Sequence, residues 1–185
     1  GISGSQYVVN TLYVGDERNY TYLYDTKNYH PLWAAYPLSA SHMGSLKRPE
    51  DWDYNPQFSS SLQPNLCNRS YTDTDTYSRG HVIPNASRNG KREMQLQTFY
   101  VTNSVPQIQN SFNSGIWSSL EGALQSVAES ETIYIVTGSV LNKVGENKTI
   151  SYTTPKDNTS QKCAIPNYFY KVALKVNTSG GKVTS

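Results

Sequence analysis

Residues 78–121, SRGHVIPNASRNGKREMQLQTFYVTNSVPQIQNSFNSGIWSSLE, hold the densest run of chemically capable side chains in the sequence. Arg79 and His81 flank Gly80 at its head. In an extended backbone residues i and i+2 leave the same face, so the guanidinium and the imidazole point into one space. Gly80 between them lets another group come close. An always-charged phosphate ligand then sits beside a group that takes a proton near neutral pH. A short strand-like piece, TFYVTN, ends at Asn103, and residues 110–129 read as a loop entering a helix. Ile116, Leu120, Leu124 and Val127 recur at helical spacing and make its apolar stripe. Asn113, Trp117, Glu121 and Gln125 make a second stripe about 40° away, which puts Asn113 and Glu121 on one face. A neutral oxygen ligand with a carboxylate nearby suits a hard, water-rich cation such as Mg²⁺.

Taken singly these residues decide little, because a lone histidine is as readily structural as basic and a lone asparagine is more often a helix cap. The ordered set is more specific. It resembles the DNA/RNA non-specific endonucleases of the ββα-metal, or His-Me finger, type, a family that includes secreted bacterial nucleases and mitochondrial endonuclease G. The family signature is an Asp-Arg-Gly-His tetrad, an Asn before a V/T-P-Q turn, an Asn-x-G-x-W segment and a Glu four residues after the Trp. Here these are SRGH at 78–81, TNSVPQ at 102–107, FNSGIW at 112–117, and Glu121. The likeness extends outward on both sides. YTYLYDTKNYHPLWAAYPLS, from residue 20, looks like the family's opening hairpin, and KRPEDW at 47–52 like the segment that carries a second phosphate-binding arginine, Arg48. ETIYIVTGSVL and AIPNYFYKVALKV look like further core strands. One departure is plain: Ser78 stands where the family has Asp. That Asp is a supporting residue, so its loss bears on local rigidity more than on the chemistry.

The resemblance implies an α+β fold, a mainly antiparallel central sheet flanked by helices, with a ββα-metal active-site motif. It implies a metal-dependent, sequence-non-specific endonuclease that hydrolyses DNA and RNA and leaves 5′-phosphate ends. Hydrolysis needs a base for the attacking water and stabilisation of the charge that develops. His81 is then the general base, and Asn103 orients the histidine or its neighbourhood. Mg²⁺, with Mn²⁺ the alternative, sits on Asn113, Glu121 holds the cation's water molecules, and Arg79 and Arg48 clamp the phosphate. Contacts of this kind position a substrate without reading bases. The rival reading, raised by Ser78, is a catalytically impaired nucleic-acid-binding module on the same scaffold.

The rest of the chain sets bounds. Its 185 residues read as one domain over 1–185, enough for a substantial core. No apolar run approaches the ~20 residues needed to span a bilayer. With 16 Lys and Arg against 14 Asp and Glu, the net charge of +2 excludes a strongly basic nucleic-acid coat. Arg88, Lys91 and Arg92 cluster near Arg79 and are expected beside the site. Cys67 and Cys163, the only cysteines, are too few for a structural zinc site, and a disulfide between them is open to an exported chain. No charged segment followed by an apolar run opens the sequence, so no signal peptide is expected in it. The resemblance and the richness in Tyr, Asn, Ser and Thr favour a mature secreted or periplasmic form.

Period-two patterning marks strands on both sides of the turn DTKN, with apolar residues on two faces, so a sheet covered on both sides is expected. His30, at that turn, reads as a surface residue. The irregular segment 39–77 reads as a long ordered loop leading into the site, with Trp52 as an anchor. The strand YFYKVALKV runs into a turn at NTSGG with nothing after it to pair. The domain is therefore expected to lack its natural carboxyl-terminal part.

Overall fold

The computed structural model describes residues 6–179 and 182–184, those from 177 onward as backbone only. Alternating residues build β1 (Tyr7–Val14), β2 (Glu17–Asp25) and β3 (His30–Leu38) as an antiparallel meander. Gly15 turns β1 into β2 with φ +57°, a conformation glycine adopts without cost. The Asp25 carboxylate accepts from the Lys27 and Asn28 backbone N–H groups and from the Asn28 side chain, closing the next turn.

The chain then crosses the long segment 39–76 and forms β4 (Tyr77–His81), α1 (Arg92–Gln97) and β5 (Ser104–Ile108). A π-helical segment, Gln109–Trp117, runs into α2 (Ser118–Ala128), and β6 (Ile133–Val140) follows. A short ribbon of β7 (Ser151–Thr153) and β8 (Cys163–Ile165) precedes β9 (Tyr168–Lys175). Strands β10 (Asn177–Ser179) and β11 (Lys182–Thr184) pair with each other, so two short strands pair where a turn with nothing after it was expected. The main sheet has the order β1-β2-β3-β6-β9, and every neighbouring pair in it is antiparallel.

One face of this sheet carries the core. Leu12, Tyr20, Tyr22, Tyr24, Ala34, Tyr36, Leu38, Ile133 and Ile135 are buried there with Val82, Ile83 and Val105 of the β4–β5 region and Ala128 of α2. Each fully enclosed aliphatic side chain contributes about 1.5–3 kcal/mol by leaving water. The buried phenols are served by polar neighbours: Tyr20 donates to the Gln97 carbonyl of α1, and Tyr22 accepts from Asn55 Nδ2. Both helices thus sit on this one face. On the other, Val9, Tyr134, Val136, Val172 and Leu174 are exposed among the described residues. The expected cover on both sides is absent there, because period-two patterning marks two apolar faces without specifying what covers them.

His30 is a second correction. It is buried, and its Nδ1 lies 2.8 Å from Ser139 Oγ, whose own proton goes to the Pro31 carbonyl, so His30 donates. A turn position alone gave no sign that β6 would cover it.

Candidate active site

Strands β4 and β5 pair from Tyr77 with Ile108 to His81 with Ser104, and Gly80 lies opposite Val105. A Cβ at Gly80 would fall 2.2 Å from the Gln107 side chain, so the close approach that glycine permits is made by Gln107. The strand begins at Ser104, just past the TFYVTN piece, which instead folds into turns. Those turns place Phe99 beside His81.

Arg79 and His81 leave β4 on the side expected for i and i+2. Both line an open cleft of about 680 Å³, together with Arg48, Asn113 and Glu121. The cleft therefore unites five of the six residues singled out from sequence. Asn103 does not line it. Buried behind β4, its Nδ2 donates to the Ile83 and Thr98 carbonyls and its Oδ1 accepts from the Ile83 N–H. It fixes the backbone just after His81 and makes no hydrogen bond to the ring.

His81 is held by aromatic rings, with Trp52 and Phe99 centroids each 4.7 Å from its own. Nε2 is enclosed without a hydrogen-bond partner. Nδ1 also lacks a partner among the described residues but is not enclosed, so it is the nitrogen turned to the cleft. Burial first, then the positive charges of Arg48 and Arg79, press the imidazole down to about 3. The ring is thus neutral at ordinary pH. Each arginine rides on one of the same aromatic rings, Arg79 over Trp52 at 5.2 Å and Arg48 over Phe99 at 5.1 Å. Arg79 also donates to the Leu66 and Cys67 carbonyls, which ties its position to the long loop.

The neighbouring cations fall elsewhere. Arg88 is fully buried, donating to Asn19, to the Ser87 and Pro37 carbonyls, and lying over Tyr36. Lys91 pairs with Glu17, and Arg92 donates to the Lys47 carbonyl and Gln95. None lines the cleft. Closeness in sequence misled because the turn after Pro84 carries Arg88 and Lys91 back to β2, and only Arg92, at the start of α1, reaches the loop at Lys47.

Asn113 and Glu121 face the cleft because the helical stretch packs with their stripe inward. Trp117 is 4% exposed, stacked on Phe112 at 5.2 Å and packed on Phe169, whereas Ile116 is 71% exposed, Leu120 41% and Val127 47%. Three of the four residues of the expected apolar stripe therefore point out, and only Leu124 packs against the core. One indole buries more surface than any single aliphatic residue of the rival stripe, and that decides which way the helix rolls.

The amide of Asn113 has a settled orientation. Nδ2 donates to Gln109 Oε1 at 2.9 Å and to Ser78 Oγ at 3.2 Å, so both amide protons are used. Oδ1 is left without a protein partner. Gln109, one helical turn before Asn113, was not singled out from sequence, although its spacing of four placed it on the same stripe. Ser78 has a direct role too, since it bridges Asn113 to the Gln107 carbonyl.

Glu121 Oε1 is enclosed without a hydrogen-bond partner and lies 3.5 Å from the Lys171 ammonium. Burial pushes the Glu121 carboxyl up, and Lys171 opposes it; burial likewise draws Lys171 down to about 8 against the pull of Glu121. A free amide oxygen and an underused carboxylate on one cleft fit a hard, hydrated divalent cation. Among the described residues no group of three or more His, Cys, Asp and Glu stands together, as a nitrogen- and sulfur-bound metal would require. Both cysteines are free thiols, Cys163 buried in the cluster against which Cys67 packs.

Comparison with known proteins finds relatives of the chain as a whole. The family described as DNA/RNA non-specific endonuclease matches residues 4–185. Endonuclease G of Caenorhabditis elegans, a mitochondrial protein, is 38% identical over 111 residues, 56% of this chain and 34% of its own length. Mitochondrial nuclease EXOG of Danio rerio is 27% identical over 161 residues, 84% of this chain and 45% of its own. Nuclease C1 of Cunninghamella echinulata var. echinulata is 32% identical over 102 residues, 53% of this chain and 39% of its own. The chain thus spans less than half the length of these relatives. A crystal structure of an EndoG/EndoGI complex superposes with a TM-score of 0.63 at 23% identity, covering 97% of this chain and 73% of that one, and shares its fold. The match over residues 4–185 makes the chain a member of the DNA/RNA non-specific endonuclease family.

Proposed function

We propose that the chain is a metal-dependent endonuclease that hydrolyses phosphodiester bonds of DNA and RNA without sequence preference. The observation that carries this reading is His81, neutral and unpartnered at Nδ1, in one cleft with two arginines and the free oxygen of Asn113. In the proposed reaction Arg79 and Arg48 clamp the phosphate as charge-assisted donors. His81 Nδ1 takes a proton from a water as its oxygen bonds to phosphorus, with the ring's other proton on Nε2. The phosphorus–O3′ bond breaks, the leaving oxygen takes a proton from solvent, and a 5′-phosphate end results. Asn113 Oδ1 holds a divalent cation, Mg²⁺ or Mn²⁺, which when bound neutralises charge on the phosphate and leaving oxygen. Glu121 accepts hydrogen bonds from the waters beside Asn113. Asn103 keeps the 82–83 backbone, and with it His81, in register.

Lowered to about 3, the imidazole is a weak base while the two guanidinium charges stand unopposed. A bound phosphate neutralises them and raises the basicity of His81 as substrate arrives. Every contact in this scheme is to phosphate or cation, which accounts for indifference to base sequence. An exported location belongs to the same proposal and rests on the family resemblance and on the richness in Tyr, Asn, Ser and Thr; among the described residues no helix is long and apolar enough to cross a membrane.

The test is His81→Ala, assayed on plasmid DNA with Mg²⁺. Loss of the base lowers the rate by about 10²- to 10⁴-fold, with circular dichroism unchanged. A variant that keeps most of its rate removes His81 from this role.

A further inference from the structure

Lys171 lies in the otherwise apolar run YFYKVAL of β9, yet its side chain is 1% exposed. Its ammonium donates to Thr137 Oγ1 at 3.1 Å and the Val82 carbonyl at 3.4 Å, sits 4.3 Å from the Trp117 ring, and faces Glu121 Oε1 at 3.5 Å. An enclosed cation is costly unless paired. What the ammonium joins is specific: the carboxylate of Glu121, the helical stripe that also carries Asn113, and the residue that follows His81. Only one Glu121 oxygen is turned inward to Lys171; Oε2 is not enclosed and faces the cleft.

We propose that Lys171 is a positioning residue, which from behind the cleft anchors the inner oxygen of Glu121 so that its outer oxygen addresses the water beside Asn113. This rests on the reading of Glu121 as the residue that holds the cation's waters. Lys171 touches neither substrate nor cation, and it acts through Glu121. Its removal leaves a buried carboxylate uncompensated and free to rotate.

The experiment measures Mn²⁺ affinity of the full chain by electron paramagnetic resonance, for Lys171→Met, Lys171→Gln, Glu121→Gln and the double variant K171M/E121Q. Near-ultraviolet circular dichroism reports folding. Gln keeps hydrogen-bonding capacity toward Thr137 and Val82, which guards against simple collapse of the pocket. Folded Lys171 variants are expected to bind Mn²⁺ about 10-fold or more weakly, as groups that orient metal surroundings do, and the double variant little worse than E121Q alone. Wild-type Mn²⁺ affinity in a folded Lys171 variant, with E121Q weakened, overturns the proposal and leaves the reading of Glu121 standing. Wild-type affinity in E121Q removes that reading itself. Loss of fold in both Lys171 variants makes the residue purely structural and also overturns the proposal.

Discussion

His81 is kept neutral by burial and by two guanidinium charges, and this has a kinetic sign. A base works only unprotonated, and a lowered pKa extends the unprotonated form to more acid conditions. The acid limb of kcat/KM, which reports the free enzyme, is therefore expected below pH 6.5. The limb of kcat is expected at higher pH, because burial still depresses the ring but phosphate bound to Arg48 and Arg79 offsets the two charges that add to it. Steady-state rates from pH 4.5 to 8.5 check this; coincident limbs near 6.5 would contradict it. At this scale much was legible in sequence. SRGH, FNSGIW and Glu121 were visible as types at fixed spacing, and Arg48 through its KRPEDW segment. Gln109 and Lys171 were missed for different reasons. Gln109 lay on a stripe already drawn, whereas Lys171 showed only as a charge inside an apolar strand, and its partner, 50 positions away, appears only when β9 packs beside α2.

Among elements, the stretch from Gln109 to Ala128 shows how a clear pattern misleads. Two stripes compete for the interior, and counting apolar residues favours Ile116, Leu120, Leu124 and Val127. The interior instead takes Trp117, with Lys171 over its face and Phe112 and Phe169 against it. The kink at Gly115, with φ −110° and ψ −114°, lets the π-helical turn and α2 bring Asn113 and Glu121 to the same cleft. Trp117→Ala is expected to cost about 3–5 kcal/mol, and Ile116→Gln less than about 0.5 kcal/mol, as for surface positions. Urea unfolding of the two variants measures both. The reverse order would mean that the helix packs by its aliphatic stripe. The β2–β3 hairpin, in contrast, was readable to within a residue or so, because DTKN supplies turn chemistry and alternation marks both strands, though the register shifts between Leu23 and Tyr24.

Across the whole molecule, the α+β fold with a mainly antiparallel sheet was implied by the family resemblance, and the antiparallel order β1-β2-β3-β6-β9 agrees with it. Which face the helices cover is not legible there, since it depends on contacts that only the fold makes, α1 through the Gln97 carbonyl on Tyr20 and α2 through Ala128 in the core. Two charges decide the character of the cleft even though the chain as a whole carries only +2. Arg48 and Arg79 converge there, while Arg88 is spent on the fold and Lys91 on an ion pair with Glu17. We propose that this cleft, with a divalent cation, hydrolyses phosphodiester bonds. Incubation of the purified 185-residue chain with supercoiled plasmid and with total RNA, in Mg²⁺ and in EDTA, tests it most directly. The expected result is loss of both substrates in Mg²⁺ and of neither in EDTA. Intact plasmid and RNA in Mg²⁺, with plasmid still retarded by the chain at low salt, would contradict the claim and leave a nucleic-acid-binding module without the chemistry.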